Sequence, residues 1–167
     1  MASILKVNEI QHTGGTSALT VDTNGIIGKP NIPAFRAYSS SSGSIANQTF
    51  TIFDADVEFF DNNNDYDTST YQFTAPINGI YRFYGQFFMS LTTRGAGSLY
   101  INGSQTNGTQ TLNLGTTSNG GASHFTDGIF QLTAGDTVEF RIYHEQGSAV
   151  SYNQNNTLSW WMGYLIG

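Results

Sequence analysis

The sequence predicts an all-β sandwich or jelly roll, and three observations carry that prediction. No segment places apolar residues at helical spacing; they recur instead in short runs at period two. Val138, Phe140 and Ile142, alternating with Thr137, Glu139 and Arg141, form the cleanest strand with one buried face. Clusters of Gly, Asn, Asp and Pro separate the runs, which is the pattern of many short strands joined by turns. Finally, aromatics make up 14% and charged residues only 11% of the 167 residues, with 19 glycines. Such a chain is globular and β-rich, with Ser, Thr, Asn and Gln keeping it soluble.

The elements follow in order. Met1 to Gln11 carries Leu5 and Val7 on one side and Ile4 and Ile10 elsewhere, too little for a core. Thr13-Gly14-Gly15-Thr16 reads as a flexible break. Leu19 to Val21 and Ile26-Ile27 flank Asp22-Thr23-Asn24-Gly25, a small hairpin with Asn-Gly at its tip. A lone hairpin is marginal in water, so this arm is expected to dock on another surface through Leu5, Val7, Ile10, Leu19 and Val21. Gly28 to Pro33 is a stiff linker. The expected division is therefore an arm, residues 1–32, and a domain, residues 33–167.

Within the domain, Ser39 to Ser44 is a polar loop, and Thr49 to Phe60 is strand material with Phe50, Ile52, Val57 and Phe59 as inward candidates. Asp61 to Thr70 is a loop dense in Asp and Asn. The central stretch is Tyr71 to Met89. It begins as a strand with Tyr71 and Phe73 on one face, and Ala75-Pro76 stops the ladder because proline has no N–H to donate. Asn78-Gly79 then signals a tight turn, for which Gly79 should supply a positive φ. Tyr81, Phe83 and Phe87 follow at period two, while Ile80, Tyr84 and Phe88 interrupt Arg82 and Gln86 on the other side. A strand apolar on both sides is either central in layers or covered by another subunit. Ser104 to Ala122 reads as a short strand around Leu112 and Leu114 between exposed loops, and Gly147 to Asn156 as another polar loop. Leu158 to Ile166 closes the chain, again apolar on both faces.

These residues carry a resemblance. Phe73-Thr-Ala-Pro76 followed by Gly79-Ile-Tyr81-Arg-Phe83 is similar to the central signature of the globular head of complement C1q. Pro33-Ala-Phe-Arg-Ala37 resembles that family's opening motif, and Tyr66-Asp67 lies just ahead of the Phe-Thr-Ala-Pro run. Asn102-Gly103 follows the strand Leu99 to Ile101, and Leu132-Thr-Ala-Gly135-Asp136-Thr-Val138 resembles the family's Leu-x-x-Gly-Asp-x-Val. The chain closes on Trp161-Met-Gly163-Tyr164-Leu165, where the family more often has Phe-Ser-Gly before an aromatic and a leucine. The resemblance runs from Pro33 to the C-terminus. It implies a jelly-roll sandwich, C1q- and tumour-necrosis-factor-like, that trimerises about a threefold axis through aromatic residues of its inner sheet. Tyr81, Phe83, Phe87, Trp160, Trp161 and Tyr164 would supply the core and part of that contact, which the sequence does not divide between them. A collagen stalk is typical of animal members, but no Gly-X-Y repeat occurs here. The arm, with its Leu5-Lys-Val-Asn-x-Ile-Gln11 opening, Gly-rich turn and Asn-Gly hairpin, resembles the starts of bacteriophage tail-fibre and virion proteins.

Composition narrows the function. A net charge of −6 and the absence of any basic run argue against nucleic acid. No cysteine is present, which removes disulfides and thiol chemistry. No apolar run approaches the ~20 residues of a membrane span. Met1 to Gln11 lacks the pattern of a signal peptide, so the expected route is not classical secretion. His12, His124 and His144 lie far apart, no nucleophile-elbow glycines surround a serine, and no His/Cys cluster has zinc spacing, so no catalytic residues are expected. Asp61, Asn63, Asp65 and Asp67 alternate in one loop and offer oxygen ligands of the kind calcium prefers. The EF-hand pattern fails at Tyr66 and Gln72, and the competing reading is a loop whose Asx side chains cap their own turns.

The expected function is therefore that of a virion-surface structural protein without cofactor, unless that loop takes calcium. It would be a homotrimeric fibre, spike or capsid-decoration head, anchored to other virion proteins by its arm. One rival is a receptor- or glycan-binding module using Ser39 to Ser44, Asn102 to Gly121 and Gly147 to Asn156. A glycan-degrading enzyme is the other, and it would need converging carboxylates.

Overall fold

The computed structural model describes residues 6–107, 111–114 and 121–167, the segment 111–114 by its backbone alone. Leu5, assigned to the docking arm, lies outside the described residues. The chain divides into two compact units, Met1–Ile32 and Pro33–Gly167.

The first unit is an antiparallel meander of β1 (Glu9–Gln11), β2 (Ser17–Val21) and β3 (Ile27–Gly28). The stretch expected to be a flexible break is a closed turn: His12 N–H donates to Thr16 O at 2.8 Å, with Gly15 at φ +87°. At the second tip Asp22 Oδ1 accepts from Asn24 and Ile26 N–H at 2.9 and 2.8 Å, and Gly25 holds φ +80°. Glycine adopts that left-handed backbone without penalty. Val7, Ile10, Ile26 and Ile27 are exposed, while Leu19 and Val21 are half-buried.

The second unit contains β4 (Ala34–Tyr38), β5 (Ser44–Ile45), β6 (Thr51–Ile52), β7 (Val57–Asp61), β8 (Tyr66–Asp67) and β9 (Gln72–Thr74). The long strands β10 (Gly79–Met89) and β11 (Arg94–Ile101) come next, then β12 (Ser104–Gln105) and β13 (Thr111–Leu114). β14 (Ala122–Leu132), β15 (Thr137–His144), β16 (Val150–Ser151) and β17 (Trp160–Leu165) complete it. One sheet has the order β14-β10-β17-β4-β7, and the other β12-β11-β15-β9-β8, with β13 added to β11 and β6 to β15. β5 and β16 form a separate two-stranded ribbon. All registered pairs are antiparallel, and among the described residues there is no helix, so the jelly-roll class holds.

The core lies between the two large sheets and is mostly aromatic. Phe35 stacks on Tyr66 at 4.7 Å and on Phe73 at 5.2 Å, and meets Trp161 edge-on at 4.7 Å. The polar tips of this aromatic cluster are bonded: Trp161 Nε1–H donates to Tyr66 Oη, which donates to Ala55 O at 2.7 Å. Two inward positions are glycines because rings occupy the space their side chains would need. A Cβ on Gly163 would stand 2.3 Å from the Phe83 ring, and one on Gly85 would stand 2.8 Å from Phe140.

Three local expectations are corrected. Tyr71 is not a strand residue: it sits at φ +61°, its N–H closing a turn onto Asp67 O at 2.7 Å, and only Gln72–Thr74 extends. Gly79 is not at positive φ, since it opens β10; Asn78-Gly79 carries the chain from one sheet to the other. Thr49 to Phe60 is two strands in different sheets, so its period breaks at the crossing. Phe53 and Ala55 point inward there, and Phe59 is exposed.

Candidate functional site

The side of the β14-β10-β17-β4-β7 sheet that faces away from the core is the most unusual surface. Registered pairing sets its side chains in three rows. One runs Phe125, Gln86, Trp160, Tyr38; the next Asp127, Tyr84, Met162, Arg36; the third Ile129, Arg82, Tyr164, Ala34. Tyr84 lies 5.2 Å from Trp160, and Tyr38 lies 4.7 Å from Phe59. The Arg36 guanidinium is held between two rings, 4.3 Å over Trp160 and 4.5 Å over Phe59, and its Nε is buried without a partner. Ile80, Phe125 and Ile129 on this side are 46%, 49% and 61% exposed. Arg82 forms a two-pronged pair with Asp127 at 3.0 and 2.6 Å, and these hydrogen bonds hold the Asp127 carboxyl below its ordinary pKa.

The residues assigned jointly to core and trimer contact separate cleanly here. Tyr81, Phe83, Phe87 and Trp161 are fully buried within one chain. Trp160 and Tyr164 are half-buried on the open face. The sequence reading missed Phe125, Ile129, Arg36, Tyr38 and Phe59 as members of that face. A signal existed in β14, where the alternation is inverted: His124 and Thr126 point in, while Phe125 and Ile129 point out.

A second feature lies where two loops meet. Pairing of β5 with β16 brings Ser39 to Ser44 against Gly147 to Asn156. Tyr152 plugs the junction: it is buried, its hydroxyl donates to the Asp54 carboxylate, and its oxygen lies 2.7 Å from Ser39 Oγ. Burial raises the Asp54 pKa, and burial together with the Asp54 bond pushes the Tyr152 phenol up. Two adjoining clefts open beside this plug, of about 380 and 510 Å³, and they share Asn153 and Gln154. Of the third loop assigned to ligand binding, Asn102 to Gly121, residues 108–110 and 115–120 lie outside the described residues. Its described start is a tight turn with Asn102 at φ +50° and Gly103 at +74°, in which Asn102 also bonds Asp136 and Thr137.

The acidic loop uses its side chains on its own backbone. Asp61 accepts from Asn63 and Tyr66 N–H at 3.2 and 2.8 Å, Asp65 accepts from Asn63 Nδ2 at 3.4 Å, and Asp67 accepts from Ser69 N–H and Oγ–H at 2.7 and 2.6 Å. Among the described residues, no three His, Cys, Asp or Glu side chains converge as a cation site. The histidines are not brought together. His12 is exposed and accepts from Gly14 N–H; His144 is buried, with Nε2 donating to Ile45 O at 2.8 Å and Nδ1 accepting from Gln146 N–H. His124 is buried against Phe87 at 4.9 Å with neither ring nitrogen partnered, and burial lowers its pKa.

Comparison with known proteins agrees with this architecture. The C1q domain family model matches residues 34–166. No curated protein matches the sequence. Among solved structures, the globular domain of the zebrafish complement 1qA protein superposes with a TM-score of 0.60 at 18% identity, covering 82% of this chain and 98% of that one. Murine APRIL gives a TM-score of 0.64 at 12% identity, covering 81% and 100%. The Eiger TNF of S. frugiperda gives 0.60 at 12%, covering 81% and 93%. At such identities the likeness is one of fold.

Proposed function

This chain belongs to the C1q domain family, and from that premise we propose that it is the homotrimeric head of a virion fibre, spike or capsid decoration, acting by assembly and surface binding. The observation that carries the assembly is the open sheet face. Its aromatic rows, its exposed Ile80, Phe125 and Ile129 and the unpartnered Arg36 Nε are what an interface core looks like before its partner is in place. The virion assignment rests on the resemblance of the arm to bacteriophage structural proteins, and it places the protein on the particle surface. Of the residues assigned to docking, Val7 and Ile10 are exposed in the meander and would meet other virion proteins, beside the exposed Ile26 and Ile27.

Light scattering on the purified chain should give three times its 18.2 kDa mass, independent of concentration at micromolar levels. A stable monomer would sink the assembly reading. Location of the protein in a particle reconstruction tests the virion assignment, and its absence from purified particles would refute it. A binding role is supported over catalysis by the two core histidines: both ring nitrogens of His144 are bonded to backbone, at Ile45 O and Gln146 N–H, and both of His124 are buried. Chromogenic ester and glycan panels should read blank.

One second reading has its own support. A receptor- or glycan-binding module needs exposed aromatics close to amides, and Tyr38 stands beside Asn153, Gln154, Asn155 and Asn156 in the larger cleft. No Asp or Glu lines either cleft, which counts against a glycan-degrading site.

A further inference from the structure

We propose that the two clefts at the β5–β16 junction form one binding site for a neutral saccharide, with Gln154 as its central donor. The inference rests on the reading of the head as an assembling, surface-binding module and names the ligand class of that binding.

The site is built before any ligand arrives. Tyr152, held by Ser39 and Asp54, makes a fixed floor, and the Ser39–Ser44 loop passes tightly over it: a Cβ on Gly43 would meet Tyr152 and Asp54 at 2.6 to 2.8 Å. Ser40 is anchored through both its N–H and its hydroxyl to the Asp56 carboxylate, each at 2.6 Å. The opposite wall is equally constrained. Asn153 N–H donates to Phe88 O at 2.8 Å, Asn153 Oδ1 accepts from Asn155 N–H, and Asn155 Oδ1 accepts from Thr157 N–H and Oγ–H. Ser42 Oγ–H donates to Gln154 Oε1 at 3.1 Å, closing the partition between the clefts. Preorganised walls of this kind reduce the ordering cost of binding.

These bonds fix which chemistry is left over. In Asn153, Gln154 and Asn155 the carbonyl end of each amide is taken by the chain, and among the described residues none bonds the NH2 end. The site thus presents a row of neutral donors, joined by the hydroxyls of Ser90 and Ser151. Neither cleft is lined by Lys, Arg, Asp or Glu. A phosphate, sulfate or carboxylate would find no counter-charge there, and the chain's net charge of −6 repels it. A purely apolar ligand would strand the amides without partners. A polyhydroxyl ring satisfies both constraints, because its hydroxyls accept from the amides while its C–H face lies on an aromatic. The smaller cleft is lined by two aromatics, Phe88 and Tyr152, and the larger by Tyr38. Their volumes fall within the range of about 300–1,000 Å³ common to small-ligand sites.

The test is saturation-transfer NMR on the full-length protein. The probes are the methyl glycosides of glucose, galactose, mannose and N-acetylglucosamine, with N-acetylneuraminic acid as the anionic control. At least one neutral glycoside should receive saturation, and Gln154→Ala and Asn156→Ala should each weaken its affinity about tenfold. Both substitutions avoid Tyr38, which also belongs to the open sheet face, so binding is separated from assembly. The proposal is overturned if no neutral glycoside is bound, if the anionic sugar is bound as well as the best neutral one, or if both variants bind like the parent. Light scattering on the same samples separates the two readings. A trimer that binds no glycoside removes the site and leaves the assembly standing, whereas a monomer whose binding both substitutions weaken removes the assembly and leaves the site.

Discussion

The two sides of one sheet, β14-β10-β17-β4-β7, use nearly the same residue types for different ends. The covered side carries Tyr81, Phe83, Phe87 and Trp161; the open side carries Tyr84, Phe125, Trp160 and Tyr164. Aromatic content alone does not tell them apart. Two other features do. The covered side includes Gly85 and Gly163, whose missing side chains make room for rings, while the open side is glycine-free in its three central rows. The open side also holds the Arg82–Asp127 pair, which water reaches in one chain, and Arg36, whose guanidinium lies between the Trp160 and Phe59 rings. The core side and the side proposed as interface thus differ in what accompanies the aromatics.

The comparison breaks most visibly under truncation. Phe83→Ala should lower head stability by about 3–5 kcal/mol in urea denaturation, because a buried ring leaves a cavity among rigid neighbours. Trp160→Ala, one sheet-thickness away, should leave the head folded and shift its mass from trimer toward monomer in light scattering. If Trp160→Ala instead unfolds the head, the open face is part of the core and the distinction fails.

Glycine substitutions sharpen it at lower cost. Gly163→Ala should destabilise by about 1–3 kcal/mol, since its Cβ would overlap the Phe83 ring at 2.3 Å. Gly79→Val should be unfavourable for a related reason: an added Cβ would stand 2.5 Å from Leu165 Cδ1 and 3.2 Å from Gly167 O. Unchanged denaturation midpoints in both would show that the covered side is loosely packed.

His124 is the exception on the covered side, a polar ring with no partner. Its folded-state pKa lies below the ordinary 6.5 because burial disfavours the charge. The unfolded chain therefore takes up the proton first as pH falls. The associated stability is fully present above pH 6.5 and is lost as pH drops toward the depressed folded value. His124→Phe should remove this acid limb and raise neutral stability by about 1 kcal/mol, because an unsatisfied buried polar group is replaced by an apolar ring. Thermal melts from pH 7.5 to 4.5 read both effects, and an unaltered pH profile in the variant would assign the acid sensitivity elsewhere.

The smallest effect is expected from the arm. Deleting residues before Lys29 should leave the trimer mass and melting temperature of the head nearly unchanged while abolishing attachment to particles. A fall of many degrees would transfer the arm from anchor to structural core.

Much of this molecule was legible because its signals are local. Pro76 stops β9, Asn102-Gly103 turns β11 into β12, and the alternation in β15 marks its core side, although Glu139 on the other side is also buried, bonded to Gln72 and Arg141. What was illegible depends on partners distant in sequence. The Thr49 to Phe60 run changes sheets between Ile52 and Val57, and which side of its new sheet Phe59 takes depends on that crossing, which no local signal marks. Tyr71 looked like a strand residue until its turn onto Asp67 took precedence. The loop clefts follow from a ribbon joining Ser44-Ile45 to Val150-Ser151, more than a hundred positions apart. Within that second loop, Tyr152 was the available clue: one large aromatic among small polar residues, better suited to a plug than to solvent.

The neighbouring tryptophans have an optical consequence. Trp160 and Trp161 are the only two indoles in the chain, adjacent in sequence and set on opposite sides of one strand. Trp161 emits from the closed interior with its N–H on Tyr66, whereas Trp160 emits from the surface beneath the Arg36 guanidinium. Diluting the protein until its subunits part should shift only the Trp160 emission to the red, and denaturant should then shift Trp161. With the open face as the subunit contact, the chain would carry an intrinsic two-stage fluorophore that reports subunit separation and loss of fold as separate spectral events.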